Sequence, residues 1–181
     1  MTSNLKQIRD MLIEDFGKGY ANFGQPKLKG RIVGLMTFSN KPLTLDDICE
    51  ALGVSKGPVS TIARQLEESG LLRKVWVKGD RKDYYQIVED MFTVSSRINL
   101  KYIKQNLEIA QRNSHLLSKV EVILQGDELE NCKAVLQRME EMKEFYTLLI
   151  DVFQKFITDW ERKFIEHSTK RRSTVLNETL D

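Results

Sequence analysis

The fold is decided by residues 43–87, which read LTLDDICEALGVSKGPVSTIARQLEESGLLRKVWVKGDRKDYYQI. Thr44, followed three residues later by Asp47, predicts the start of a short helix in which the two side chains form a capping box. Gly53 predicts the end of that helix, and Ser55 is a suitable N-cap for the next one. Two helices joined by so short a turn predict a helix-turn-helix.

The sequence period changes after Gly70, which predicts the end of the second helix. Apolar and aromatic residues then recur in two runs, 72–77 and 84–88, on either side of the KGDRK segment at 78–82. This pattern predicts a β-hairpin with a tight turn at its tip. A hairpin in this place is the wing of a winged helix-turn-helix.

The aromatic residues of the hairpin should follow strand alternation. Trp76 lies on the face opposite Val75 and Val77, either against the helices or towards the rim of the DNA groove, and of the two we expect packing against the helices. Tyr84 and Tyr85 face opposite sides, so one of the two should be buried while the other is free to touch a phosphate.

Helical patterns precede this region. Apolar residues at helical spacing from Leu5 to Phe16 predict an amphipathic helix that stops at Gly17 and Gly19. A second helix is predicted to start near Pro26, which fits the first turn of a helix.

Two long helices are predicted beyond Asp90, separated by a break at 125–127, where Gly126 supplies a helix end. The second of them carries apolar residues at steps of three and four from Leu129 to Phe164. Such a seam is typical of paired helices, and we expect it to join two copies of the chain in a dimer.

Together these elements predict a mainly α fold: a winged helix-turn-helix domain with a two-stranded β-wing, followed by a long helical dimerisation region. We divide the chain into an N-terminal helix for dimer or interdomain packing, the winged helix-turn-helix domain, a helical region for dimerisation and effector binding, and a flexible polar tail. Their respective bounds are 1–25, 26–89, 90–168 and 169–181.

Composition and spacing exclude several classes of protein. The two cysteines, Cys49 and Cys132, lie far apart, and neither they nor the two histidines have metal-ligand spacing. No GxSxG elbow, phosphate loop or HExxH motif is present, so we expect no catalytic residues, no metal and no cofactor. With so few cysteines and no apolar run of about 18 residues, we expect a cytoplasmic protein that does not enter a membrane.

The net charge of +2 is too small to identify a nucleic-acid partner, so the distribution of charge is more informative. Residues 17–41 contain five basic residues and no acidic one, whereas acidic residues dominate 127–161. The N-terminal half is therefore the basic part of the chain.

Residues 43–87 resemble the MarR-like winged-helix regulators, through the segments LDDI at 45–48, LGVSKG at 52–57 and LEESGL at 66–71. The run VWVKGDRKDYY at 75–85 resembles the wing of the GbsR branch of these regulators, and the two long helices are similar to its C-terminal half. The resemblance covers most of the chain. It implies a dimeric DNA-binding repressor, often responsive to a small molecule, with choline as the sensed compound in the best-known members.

Helical spacing separates the buried face of the second helix from the face available to DNA. Val59, Ile62 and Leu66 predict the buried face. Pro58 has no side-chain hydrogen bond to offer, so any base contact that a polar residue makes there in relatives is absent here. The outer face supplies the predicted DNA contacts: Ser55, Lys56, Gly57, Ser60, Thr61, Arg64 and Gln65. Among them, Arg64 can donate two hydrogen bonds to guanine in the major groove. The alternative is a solvated helix face.

The hairpin tip supplies a second group of predicted contacts. Arg81 is placed to enter the minor groove, and Asp80 beside it is able to orient the guanidinium through a charge-assisted hydrogen bond. Lys78 and Lys82 would hold phosphates. The alternative is an ordinary tight turn at Gly79 whose charged neighbours stay in water.

A choline-like effector would need an aromatic cage. Aromatic residues cluster at Phe16, Tyr20 and Phe23 near the end of the first helix, and again along 145–160 of the last. Helix packing and dimerisation explain the same spacing without a ligand.

We therefore expect a sequence-specific DNA-binding transcriptional regulator, a repressor that acts as a homodimer on a double-stranded operator and is released by a small-molecule effector. The alternatives are a winged-helix module for protein interaction and an architectural DNA binder without sequence preference. Cations on a projecting hairpin favour DNA over a protein partner, while a polar recognition face and a helical seam favour sequence-specific binding.

Overall fold

The structure, a computed structural model, describes residues 3–178 of the chain and the side chains of residues 3–170. The chain divides into two units, Met1–Met91 and Phe92–Asp181. The elements of the first unit are α1 (Ser3–Asn22), α2 (Lys27–Phe38), β1 (Leu43–Thr44), α3 (Leu45–Leu52), α4 (Lys56–Glu68), β2 (Leu72–Val75) and β3 (Tyr84–Ile87). The second unit is formed by α5 (Met91–Glu121) and α6 (Gly126–Glu178). This mainly helical fold with a small sheet and two long helices confirms the predicted fold class.

Close packing of α1 on α2 explains Gly17 on α1, which the sequence predicts as a helix end, and Gly30 on α2. α1 does not stop at Gly17 and Gly19 but continues to Asn22, and Gly17 is buried. On α2, a Cβ atom added to Gly30 would lie 2.3 Å from the carbonyl oxygen of Phe16. Small residues therefore allow the two backbones to approach each other, and this is why α1 packs within the first unit.

The helix-turn-helix forms as its local signals predict. Thr44 Oγ1 accepts the Asp47 N–H at 3.1 Å, and the Asp47 carboxylate accepts the Thr44 N–H at 2.8 Å, which completes the capping box. Gly53 ends α3 in the left-handed conformation with φ of 65°. Ser55 occupies the N-cap position of α4, although its side chain makes no capping hydrogen bond. α4 packs on this frame through four buried residues: Val59, Ile62, Ala63 and Leu66.

The wing is part of a three-stranded antiparallel sheet with strand order β1-β3-β2. β2 and β3 form the predicted hairpin, with Leu72 opposite Ile87 and Val75 opposite Tyr84. β1 was not predicted, because a strand of two residues is too short to show a period. Since β3 lies in the middle, β2 forms a free edge of the sheet.

The two aromatic predictions for the hairpin have different outcomes. Tyr85 is buried and Tyr84 is half-buried, which agrees with the expectation that one of them is buried. The expectation that Trp76 packs against the helices is wrong, because its side chain is 80% exposed.

In the second unit, α5 and α6 form an antiparallel hairpin. Near its open end the rings of Phe92 and Trp160 lie 5.5 Å apart, and Arg97 pairs with Glu161 at 2.6 Å. Towards the connecting turn, Ser114 donates to Glu140 at 2.6 Å. The predicted seam on α6 thus faces α5 of the same chain, with Cys132 and Ile157 buried and its other residues half-buried, and its pairing with a second copy stays a prediction.

The last helix continues to Glu178, so the predicted boundary between residues 168 and 169 lies inside α6. Residues 179–181 of the predicted tail lie outside the described residues. None of the helices described between residues 3 and 178 combines the length and the apolar character needed to cross a membrane.

Candidate nucleic-acid interface

The outer face of α4 presents the predicted recognition residues to solvent. Because Val59, Ile62, Ala63 and Leu66 are buried, the opposite side of α4 points away from the core. The Thr61 hydroxyl is used within the helix, where it donates to the carbonyl of Gly57 at 3.2 Å. The remaining predicted residues of this face are exposed, apart from half-buried Ser60: Ser55, Lys56, Gly57, Arg64 and Gln65.

Arg31 helps to hold the turn that precedes α4. Its Nη2 donates to the carbonyl oxygen of Leu52, the last residue of α3, at 3.1 Å. Its Nε lies 2.8 Å from Glu14 on α1, and Lys27 pairs with the same carboxylate at 2.8 Å. The hydrogen bond from Lys27 and the charge of Arg31 hold the pKa of Glu14 below its usual value. The helices α1, α2 and α3 are thereby linked next to the turn that leads into α4.

The wing tip is fixed by Asp80, but not in the predicted manner. Its carboxylate accepts the backbone N–H of Lys82 at 2.9 Å and the Tyr84 hydroxyl at 3.0 Å. These bonds, the first above all, lower the pKa of Asp80. Asp80 therefore organises the backbone of the tip, which corrects the expectation that it orients the guanidinium of Arg81. The three predicted cations of the tip, Lys78, Arg81 and Lys82, are exposed.

Lys56 already has an anionic partner in the protein. Its Nζ lies 2.7 Å from the carboxylate of Asp46 on α3, and both side chains are more than half exposed. The bond raises the pKa of Lys56 and lowers that of Asp46, which the positive charge of Lys82 lowers further. Asp46 thus lies near cations of both α4 and the wing. The sequence pattern predicts no role for Asp46, since only folding brings it to Lys56.

Replacing Asp46 by asparagine is expected to raise the affinity for duplex DNA about two- to fivefold on all sequences. A phosphate that binds Lys56 must displace the Asp46 carboxylate, and the substitution removes both this competition and a negative charge near DNA. Anisotropy titrations of a labelled duplex at fixed salt measure the change.

Glu130→Gln is the matched control, because it removes an exposed carboxylate that is paired with Lys133 at 3.2 Å on α6. Both variants change the net charge equally. An equal gain in DNA affinity in the two variants would mean that the overall charge, and not Asp46, is responsible. Unchanged affinity of Asp46→Asn would show that Lys56 does not contact a phosphate.

The interface offers no sign of a metal centre. Within the described residues, no group of three or more His, Cys, Asp and Glu side chains is arranged to hold a metal ion. What the surface presents is a polar helix face beside a rigid cationic turn.

The chain is similar to several known proteins. Residues 35–83, which contain the helix-turn-helix and the wing tip, match the model of the MarR family. The chain is 28% identical over 166 residues to YvaV of Bacillus subtilis (strain 168), named as an HTH-type transcriptional regulator, a match covering 89% of this chain and 94% of the relative. It is 27% identical over 183 residues to the HTH-type transcriptional repressor OpcR of the same organism, covering 94% and 95%.

A shorter match joins the chain to the HTH-type transcriptional repressor GbsR of Bacillus subtilis (strain 168), at 27% identity over 88 residues, 49% of this chain and 48% of the relative. A crystal structure of a transcriptional regulator shares the fold, with a TM-score of 0.70 at 19% identity over 85% of this chain and 98% of that one. These relatives are all named as transcriptional regulators. Over residues 35–83 the chain is therefore similar to the MarR family of winged helix-turn-helix transcriptional regulators, and GbsR is among its distant relatives.

Proposed function

We propose that the protein is a repressor that binds a specific duplex operator as a homodimer. The observation that carries the proposal is the pairing of an exposed polar face on α4 with an exposed cationic turn whose backbone is fixed by Asp80. The α4 face fits the major groove, where side chains can read base edges. The rigid turn fits the adjacent minor groove and its phosphates.

The residues of the interface then take separate roles. Arg64 reads a base, because it is exposed and a guanidinium donates two parallel hydrogen bonds to guanine. Arg81 enters the minor groove, while Lys78 and Lys82 bind phosphates beside it. Ser55, Lys56, Gly57, Ser60, Thr61 and Gln65 complete the contact surface along α4. Repression is supported by the relatives OpcR and GbsR, which are named as repressors.

The homodimer is supported by exposed apolar residues on both helices of the second unit. All of them are more than two-fifths exposed, which is unusual for so many large apolar side chains on one surface. They form one stripe on each helix: Tyr102, Ile109, Leu116 and Val120 on α5, and Phe145, Leu148, Val152 and Phe156 on α6.

Helix geometry puts the two stripes on the same side of the hairpin. Each stripe residue directly precedes a residue of the inner face; Ile109 precedes buried Ala110, and Phe156 precedes buried Ile157. One residue turns the side-chain direction by about 100°. Because α5 and α6 run antiparallel, a step back by one residue from the inner face leads to the same side of the hairpin on both helices. A second copy that offers the same face would bury both stripes in a symmetric four-helix arrangement.

Introducing glutamate at both Leu148 and Val152 is expected to convert the dimer to a monomer at micromolar concentration. Two charges would have to be buried against apolar residues of the partner, which is costly. Sedimentation velocity measures the state of assembly. The control is Gln154→Glu with Thr158→Glu, which adds the same charges at positions directly after inner-face residues, on the other side of the hairpin. A wild-type protein that is already monomeric would contradict the homodimer.

Selection of duplexes from a random pool, followed by footprinting, tests the function as a whole. A dimer should enrich two half-sites related by two-fold symmetry and about 10–10.5 base pairs apart. Binding without enrichment would point to an architectural protein instead. No binding to any duplex would favour a module for protein interaction.

A small-molecule effector, choline-like by family resemblance, is part of the same proposal. The first unit contains a cavity of about 580 Å³. Seven charged side chains of both signs line it, together with Ile13 and Ala51. This lining differs from an aromatic cage, so the support for choline is the resemblance alone. Calorimetry with choline, with and without the selected operator, tests both binding and release.

A further inference from the structure

Trp76 lies in an unusual place for a large aromatic side chain. It follows Val75, the last residue of β2, at the free edge of the sheet. Its side chain is 80% exposed. Within the described residues it makes no hydrogen bond or aromatic contact. Nothing in the first unit therefore accounts for an apolar ring at this position.

The backbone next to Trp76 is held in place by the wing turn. The adjacent residue Val77 accepts the Asp80 N–H at 3.2 Å, which closes the turn. Gly79 has φ of 88° there, and the Asp80 carboxylate holds the far side through Lys82 and Tyr84. The indole consequently projects from a fixed point next to the tip cations.

The charges around Trp76 select an anionic partner. Residues 73–82 contain five basic residues and a single acidic one. Among the basic residues, Lys74 is paired with Asp83 at 3.2 Å. The single acidic residue, Asp80, accepts hydrogen bonds within the turn. Lys78, Arg81 and Lys82 are exposed, so a partner that covers the indole also meets their positive charge.

The chemistry of indole matches the backbone of duplex DNA. An indole combines an apolar ring with one N–H donor, and tryptophan is for this reason frequent where one end of a contact is apolar and the other polar. The DNA backbone offers deoxyribose rings beside phosphate oxygens. We propose that Trp76 is a DNA contact, with its ring against a deoxyribose and its N–H donating to a phosphate. The inference rests on the proposed function, since it requires that the wing binds DNA.

Such a contact carries no base information, so its loss should weaken all duplexes alike. Trp76→Ala is expected to reduce affinity about five- to tenfold on selected and unrelated duplexes. Trp76→Phe keeps an apolar ring and loses the N–H donor, so its affinity for duplex DNA is expected to lie between those of the wild type and Trp76→Ala. Phe23→Ala is the matched control, because Phe23 is 86% exposed but lies between α1 and α2; its affinity should equal that of the wild type.

Fluorescence provides a direct readout. The chain has two tryptophans, and Trp160→Phe leaves Trp76 as the only tryptophan while keeping an aromatic ring next to Phe92. In this background, saturating duplex should lower the acrylamide quenching constant of Trp76 by about twofold, as expected for an indole that becomes covered. Anisotropy of labelled duplex records DNA binding independently in the same sample.

The outcomes separate this inference from the function on which it rests. If duplex binds while the quenching of Trp76 and the affinity of Trp76→Ala both stay unchanged, the contact is refuted and the repressor proposal stands. If Trp76→Ala changes sequence preference, the backbone assignment is wrong. If no duplex binds, both proposals fail together. Circular dichroism of each variant confirms that it is folded.

Discussion

Gly30→Ala is expected to lower the free energy of unfolding by about 3 kcal/mol or more, at the upper end of what overpacking costs. A Cβ atom at this position would lie 2.3 Å from the carbonyl oxygen of Phe16, 2.8 Å from its carbonyl carbon and 2.9 Å from the Cα of Gly17. All three are backbone atoms of α1, so no side chain can rotate to make room. α1 would have to move away from α2, with loss of the packing between them.

Urea denaturation, followed by circular dichroism, measures this change. Gly19→Ala is the matched control, because no atom lies within 4 Å of a Cβ at that position. There the substitution should instead stabilise the helix by about 0.5–1 kcal/mol, through the lower backbone freedom of alanine. Equal stability of Gly30→Ala and the wild type would show that α1 does not pack against α2 in this way.

The same glycines show why part of the fold could not be predicted from the sequence. The signals at Thr44, Asp47 and Gly53 are local, since each acts on backbone groups within a few residues, and each was predicted correctly. Gly17 gives the same local signal for a helix end, but its role depends on a helix more than ten residues away. Only the packed structure distinguishes a glycine that ends a helix from one that permits a close contact.

The sequence pattern also does not show which surface covers the apolar seam of α6. The seam from Leu129 to Phe164 was predicted as an apolar face, and the structure packs it on α5 of the same chain. Periodicity identifies a face that needs covering, but both a neighbouring helix and a second copy meet that need. The stripe that includes Leu148 was overlooked because it runs one residue ahead of the seam.

At the candidate interface, the exposed and buried sides of α4 followed directly from its helical period, as Val59 and Leu66 show. The partners of charged residues did not. Asp80 bonds to its own turn and Asp46 to Lys56, since the geometry of a turn and of two crossing helices decides which donors are within reach. For Trp76, strand alternation predicts the face of the hairpin on which the side chain lies, but it does not predict whether the helices cover that face at this position.

Arg64→Ala is expected to weaken binding to the selected operator by about 1–3 kcal/mol, the contribution of a guanidinium that donates two hydrogen bonds to guanine. Arg64 is exposed on the outer face of α4 and, within the described residues, forms no ion pair that would compete for it. The variant should also tolerate any base pair at the position it reads, so that its affinities for the operator and for single-base variants converge.

Lys82→Ala provides the contrast, because a phosphate contact acts on all duplexes alike. It should weaken operator and unrelated duplex by the same factor and make the salt dependence of binding shallower by about one unit. Arg138→Ala removes one positive charge from an exposed position on α6 and serves as the control for net charge. Anisotropy titrations over a range of salt concentrations, on the operator and on single-base variants, measure both quantities. If Arg64→Ala lost affinity equally on every duplex while Lys82→Ala altered base preference, the wing and not α4 would be the element that reads the sequence.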